Sequence, residues 1–250
     1  METRNFKRVM VWEGPVRFFH WLNVLAVTVL IITGYIIANP IAILSSTEPN
    51  DLHISGNIRF IHFTAAYLFF LVLILRVYWA FAGNKFASWK AFWPFSKKLW
   101  NNVWHVLKMD IMLMNEKEEE VSNISIGHNS IATLSYLAMF FIALISIFTG
   151  FGLYADMSTW WLPKLFSWVV PFFGGDFMVR TIHHIAMWAF ILFSMIHVYL
   201  VFYHDWLEGR GEVSSMFGGY KFVRDDRIKK EEEEIEIKTI EEKEDIVITE

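Results

Sequence analysis

The sequence has 250 residues, of which 55% are hydrophobic and 18% aromatic, and its formal net charge is −4. A mean hydropathy of +0.36 is too high for an ordinary soluble domain of this length and indicates a membrane protein. The chain has no cysteine, which excludes disulfides, thiolate zinc sites, cysteine-ligated iron–sulfur clusters and haem attached through C-x-x-C-H. Any redox centre must therefore use other ligands, and histidine is the leading candidate.

Four apolar runs are each long enough to cross a bilayer as a helix, because a hydrocarbon core of about 30 Å requires about 20 residues. The predicted spans are approximately Phe18–Ala38, Phe60–Phe81, Ser130–Tyr154 and Ile182–Tyr203. The first run starts too late and is too long for a cleaved signal peptide, so we expect it to remain as a span. The predicted fold is an all-α, multi-pass membrane protein, a four-transmembrane-helix bundle in the lipid bilayer of a bacterial or archaeal cell (inner) membrane.

The lysines and arginines predict the orientation of this bundle. The N-terminal segment carries four of them, the first loop one, the second connection seven, the third loop two and the C-terminal segment eight. Cytoplasmic connections carry the excess of basic residues in membrane proteins. Both termini are therefore predicted to be cytoplasmic, and the first and third loops are predicted to lie outside.

The connection between the third and fourth spans, about residues 155–182, is aromatic and apolar but interrupted by Pro163, Pro171 and paired glycines. It is predicted to lie on the outer interface, to pack over the bundle, or both. The predicted organisation is a cytoplasmic N-terminal segment 1–17, a membrane domain 18–223 and a charged tail 224–250 that we expect to be disordered. We expect no nucleic-acid partner.

Six of the nine histidines lie in or at the ends of the spans, where ionisable side chains are costly and indicate function. In the predicted orientation His20 and His197 lie near the cytoplasmic face, and His62 and His183 lie near the outer face. His183 and His197 are 14 residues apart, a rise of about 21 Å that returns both to one side of the helix. His184 points away from that side and is predicted to contact lipid or a loop.

Two imidazoles from facing helices at one membrane level suit a haem iron. Two such levels predict a bundle that encloses two haems, with the axial pairs His20/His197 and His62/His183. Zinc fits less well, because it needs three or four ligands that converge on one point.

The 14-residue step recurs in other spans, since Gly34 follows His20 and Arg76 follows His62 by 14 residues. Gly34 is predicted to make room beside the outer haem, and Arg76 is predicted to place a cation beside the inner haem. Gly150 belongs to a stripe of mostly small residues in the third span. That stripe serves either close helix packing or room for a haem.

Three further arginines each precede a predicted ligand by three residues, and they are Arg17, Arg59 and Arg180. Arginine at the interface can pair with haem propionates or extend to water. For Arg17 a topology-setting role is equally compatible with the sequence. The outside location of Arg59 and Arg180 favours propionate or partner contacts.

Four segments carry a family resemblance: RFFHW…TG, RFIHFTAAYLFF…RVYWAFAGN, GHNSIA…TGFGLY and HHIAMWAF…IHVYLVFYHDW. They resemble the b-type cytochrome subunit of membrane-bound nickel–iron hydrogenases, within the cytochrome b561-like family that includes the formate dehydrogenase gamma subunit. The resemblance covers roughly residues 8–223. It implies two b haems with His20, His62, His183 and His197 as axial ligands, an iron–sulfur donor subunit outside, and quinone as the acceptor near the inner face.

In related subunits, polar residues at the start of the third helix help to form the quinone site, and His128 and Asn129 match that place here. The resemblance thus predicts a dihaem cytochrome b that anchors a periplasmic nickel–iron hydrogenase, made of small and large subunits, and passes electrons to menaquinone or ubiquinone. Such a subunit does not act on hydrogen by itself. The alternatives are a subunit of a formate dehydrogenase or other membrane oxidoreductase, and a haem-free membrane anchor or transporter.

Overall fold

The computed structural model describes residues 6–40, 53–89, 130–208 and 211–224, and these are mostly helical. The elements in chain order are β1 (Phe6–Met10), α1 (Gly14–Ala38), α2 (Ile54–Ala82), α3 (Ser130–Tyr154), a 3-10 turn (Ala155–Met157), α4 (Trp161–Lys164), α5 (Val169–Phe172), α6 (Asp176–Glu208), α7 (Glu212–Gly218) and β2 (Tyr220–Arg224).

Four of these helices, α1, α2, α3 and α6, are long and apolar enough to cross a membrane, which confirms the four predicted spans. Helix α1 begins at Gly14, α2 at Ile54 and α6 at Asp176, all earlier than the apolar runs. The backbone hydrogen bonds of a helix continue past the residues that a bilayer would cover. As a result the Arg-x-x-His turns lie inside the helices and not at their first residues.

The described residues belong to two compact units, the first of which comprises those between 14 and 94 and between 132 and 200. Its core is a cluster of small and aromatic side chains from three long helices, with partly buried residues of α6 against it. The buried members are Ala26, Phe69, Ala143, Ile147 and Phe151. Many large apolar side chains of the four helices point outward and are exposed, as expected for helices whose solvent is lipid.

The segment that follows α3 packs over the ends of the long helices. The ring of Phe166 stacks on Phe151 of α3 with centroids 5.4 Å apart, and the ring of Trp160 lies 5.5 Å from Tyr67 of α2. Gly152 permits this packing, because a Cβ there would stand 2.9 Å from the Cβ of Val169. Packing over the bundle is therefore observed, and exposed rings such as Phe172 remain available to an interface.

The second unit contains a two-stranded ribbon, so the expectation of an all-α protein was wrong in this respect. Strand β1 pairs antiparallel with β2, from Phe6 opposite Arg224 to Met10 opposite Tyr220. The Lys221 ammonium is buried and lies 2.6 Å from a Glu212 carboxylate oxygen of α7. Each strand is only five residues long and its partner is more than 200 residues away in sequence, so neither carries a local signal that could be distinguished from a charged loop.

Candidate functional site

The structure brings His62 of α2 and His183 of α6 together. Their ring centroids lie 6.5 Å apart, and the ring planes are inclined by 72°. Phe63 packs its edge against His62 at 6.2 Å. The two helices thus present one imidazole each to the same place.

A second pair forms between His20 of α1 and His197 of α6, with centroids 6.4 Å apart and planes inclined by 62°. The ring of Phe193 stacks nearly parallel on His197 at 5.5 Å, and Trp21 meets His20 edge-on at 5.3 Å. Because His183 and His197 both belong to α6, this helix supplies one ring to each pair. Their separation along the helix is about 21 Å at 1.5 Å per residue.

The spacing within each pair suits two imidazoles that share one metal. A metal–nitrogen bond of about 2.0 Å and an imidazole ring radius of about 1.2 Å place such centroids about 6.3 Å apart. The observed 6.4 Å and 6.5 Å agree with this value. Within the described ranges no three histidine, aspartate or glutamate side chains gather as a multi-ligand ion site requires, so the histidines are arranged as pairs.

Both rings of the His62–His183 pair carry a hydrogen bond on their second nitrogen. His62 Nδ1 lies 2.8 Å from Thr33 Oγ1 of α1, and His183 Nδ1 lies 2.8 Å from Thr149 Oγ1 of α3. Sequence reasoning missed both threonines, because a threonine in an apolar span is compatible with simple back-bonding to its own helix. The repeated Thr-Gly dipeptide was the available signal.

The two glycines predicted to make room for a haem lie directly against these rings. A Cβ on Gly34 would stand 3.2 Å from His62 Cε1, and a Cβ on Gly150 would stand 3.1 Å from His183 Cε1. Each glycine therefore admits an imidazole ring beside its helix, next to the threonine that hydrogen-bonds to that ring.

The predicted arginines differ in their surroundings. Arg17 of α1 is half-buried, and Arg59 of α2 is exposed and borders a small cleft with Pro40. Arg180 is exposed and lies 3.9 Å from the carboxylate of Asp176, one turn away on α6. A contact of these side chains with a haem propionate stays a prediction.

Arg76 is held within the bundle by two neighbours. It donates a hydrogen bond to the carbonyl oxygen of Ala87 at 3.2 Å, and its guanidinium lies 5.3 Å from the centroid of the Tyr136 ring on α3. A guanidinium has five N–H donors, so these contacts leave capacity for an anion. His128 and Asn129, predicted at the quinone site, lie outside the described residues.

Comparison with known proteins places this geometry in a family. The sequence model of the family described as prokaryotic cytochrome b561 matches residues 11–219, which include both histidine pairs and both threonines. The match therefore covers the four long helices from end to end.

Curated relatives agree over nearly the same length. The chain is 37% identical to the probable Ni/Fe-hydrogenase B-type cytochrome subunit of Azotobacter chroococcum mcd 1, over 90% of this chain and 93% of the relative. It is 35% identical to the protein of the same name in Cupriavidus necator, over 89% and 90%. It is also 35% identical to the probable Ni/Fe-hydrogenase 1 B-type cytochrome subunit of Escherichia coli K12, over 84% and 89%. With four long apolar helices and a family match across all of them, the chain belongs to the prokaryotic cytochrome b561 family of multi-pass membrane b-type cytochromes.

Proposed function

We propose that the chain is an integral-membrane dihaem cytochrome b that anchors a nickel–iron hydrogenase and carries electrons from its iron–sulfur subunit to membrane quinone. The observation that carries this proposal is the presence of two histidine pairs, each at the spacing of a bis-imidazole metal site, at separate levels of one bundle. The names of the relatives support hydrogenase as the partner.

The donor set fits haem b. In the proposal His62 and His183 hold one haem iron, and His20 and His197 hold the other. Bound haem supplies one-electron redox chemistry, with a potential set by its ligands and their hydrogen bonds. The paired arrangement favours this reading over a haem-free anchor or transporter, which would have no need to bring imidazoles face to face.

The protein's own contribution is ligation, spacing and exclusion of water. Helix α6 separates the two pairs along its axis, and the core that includes Phe69 and Phe151 is apolar. Aromatic packing on His20 and His197, and threonine contacts at His62 and His183, fix the rings in place. The residues thus provide two preformed sites and a dry interior between the faces of the membrane.

In the proposed orientation both termini are cytoplasmic, since the basic residues concentrate on the N-terminal, second and C-terminal connections. The His62–His183 site then lies near the periplasmic face, where the hydrogenase subunits would dock. The His20–His197 site lies near the cytoplasmic face, where quinone would be reduced. His128 and Asn129 are the proposed quinone contacts, on the family resemblance alone.

Replacement of one predicted ligand should remove one haem and leave the other. We expect about two haems per chain in the wild type, and about one in His62→Ala and in His197→Ala, because a haem with a single protein ligand is held weakly. His184→Ala is the matched control, since it removes the histidine adjacent to His183 and should keep both haems. Haem-to-protein ratios from reduced-minus-oxidised spectra give the result, and two haems in His62→Ala would disprove the ligand assignment.

Filling the space of the two glycines should disturb only the site of the rings they touch. Gly34→Leu and Gly150→Leu push a side chain into the position of His62 Cε1 or His183 Cε1, and overpacking of this kind typically costs about 1–3 kcal/mol. We expect partial loss of one haem in low-temperature difference spectra that resolve the two haems. Gly56→Leu is the control, because a Cβ there meets no atom within 4 Å. An unaltered spectrum in both core variants would mean that the rings do not ligate where the structure places them.

The partner is tested by affinity purification of the tagged chain in mild detergent from the native cell. We expect the small and large subunits of a nickel–iron hydrogenase in the purified complex, together with hydrogen-dependent quinone reduction. Co-purification of formate dehydrogenase subunits instead would support the alternative partner and refute the hydrogenase assignment.

A further inference from the structure

Two threonines at the His62–His183 pair have no counterpart at the other pair. Thr33 and Thr149 are buried, with 7% and 1% of their surface exposed, and each lies 2.8 Å from the Nδ1 atom of one histidine. In the described part of the chain, no side-chain hydroxyl forms such a bond with His20 or His197. The neighbours of those two rings are aromatic.

The direction of these hydrogen bonds follows from the bonds that the threonines make to their own helices. Thr33 Oγ1 donates to the carbonyl oxygen of Val29 at 2.6 Å, and Thr149 Oγ1 donates to that of Ile145 at 2.6 Å. A hydroxyl has only one proton to donate. Each threonine oxygen must therefore accept from its histidine, which places the ring proton on Nδ1.

This arrangement prepares each ring for ligation. A proton on Nδ1 leaves the lone pair on Nε2, the nitrogen that remains for a metal. The adjacent glycines, Gly34 and Gly150, let the two rings approach the helices closely enough for the hydrogen bonds to form. The same Thr-Gly device occurs twice, once on α1 for the histidine of α2 and once on α3 for the first histidine of α6.

We propose that Thr33 and Thr149 are positioning residues that fix the tautomer and ring orientation of His62 and His183 and lower the reduction potential of the haem they hold. The inference rests on the proposed function, in which these histidines are haem ligands. A hydrogen bond accepted from Nδ1–H makes the imidazole a stronger donor to its metal. Ferric iron gains more from a stronger donor than ferrous iron, so the oxidised state is stabilised and the potential falls.

The consequence is a difference between the two sites that favours one direction of transfer. Electrons pass spontaneously from the couple of lower potential to the couple of higher potential. In the proposed orientation the threonine-supported site is the one next to the hydrogenase. Lowering its potential relative to the His20–His197 site directs electrons from the periplasmic towards the cytoplasmic face.

The test is a spectroelectrochemical titration of purified Thr33→Val, Thr149→Val and the double variant, each compared with the wild type. Valine has nearly the shape of threonine but cannot accept a hydrogen bond. We expect the equilibrium constant for reduction of one haem to rise about threefold in Thr33→Val. In the double variant we expect a rise of about tenfold, equal to about 59 mV for a one-electron couple. The backbone of Ser146 offers His183 a second hydrogen-bond partner, so the effect of Thr149→Val should be the smaller of the two.

Three controls separate the hydroxyl from packing. Thr33→Ser and Thr149→Ser keep the acceptor and should titrate within about twofold of the wild type. Thr28→Val removes an exposed threonine of the same helix that back-bonds to Val24 in the same way at 2.7 Å and touches no histidine, and it should leave both potentials unchanged. The second haem in each sample serves as an internal reference and should not move.

A potential that stays at the wild-type value in the double valine variant, with both haems retained, would overturn the inference. So would equal shifts in the serine and valine variants, because the hydroxyl would then not be the cause. If valine variants lose one haem, retention of that haem in the serine variants supports the hydroxyl, and its loss in them refutes it. A wild-type chain without two haems would instead refute the proposed function, so the two failures are distinguishable.

Discussion

The approach of one imidazole to another across a gap of 6.4–6.5 Å is the constraint on which the rest of the bundle depends. Two rings can meet this way only if they come from facing helices at the same level. Helix α6 satisfies this twice, because a 14-residue step returns to nearly the same face about 21 Å further along the axis. The glycines on α1 and α3, the aromatic neighbours and the apolar core all follow from making room for these rings and holding them.

A repeated pattern underlies the asymmetry of the two levels. His20 precedes Gly34 by 14 residues on α1, and Tyr136 precedes Gly150 by the same step on α3. Likewise Arg76 follows His62 on α2 as His197 follows His183 on α6. Arg76 and Tyr136 lie together, with the guanidinium 5.3 Å from the ring centroid, as His20 and His197 do. The pattern thus offers two similar places at this level, and only one of them has imidazoles.

The sequence was most informative where a long-range requirement leaves a periodic trace. Apolar runs predicted the four long helices, and the 14-residue spacing selected the four histidines that the structure brings into pairs. It was silent where a contact joins residues with no shared period. Thr33 and Thr149 look like ordinary back-bonding threonines until α2 and α6 are placed beside them, and the strands β1 and β2 find each other only after the chain has folded. Arg76 is likewise held by Ala87 and Tyr136, which no spacing on α2 indicates.

The most direct test of the central claim, two bis-histidine haems in one bundle, is low-temperature electron paramagnetic resonance of the oxidised purified protein, quantified per chain. The ring planes within the pairs are inclined by 62° and 72°, and steeply crossed axial imidazoles give strongly anisotropic low-spin ferric signals. We expect two such signals of equal intensity, each integrating to one spin per polypeptide. A single signal, or high-spin iron that reveals an open axial position, would contradict the pairing of four histidines into two sites.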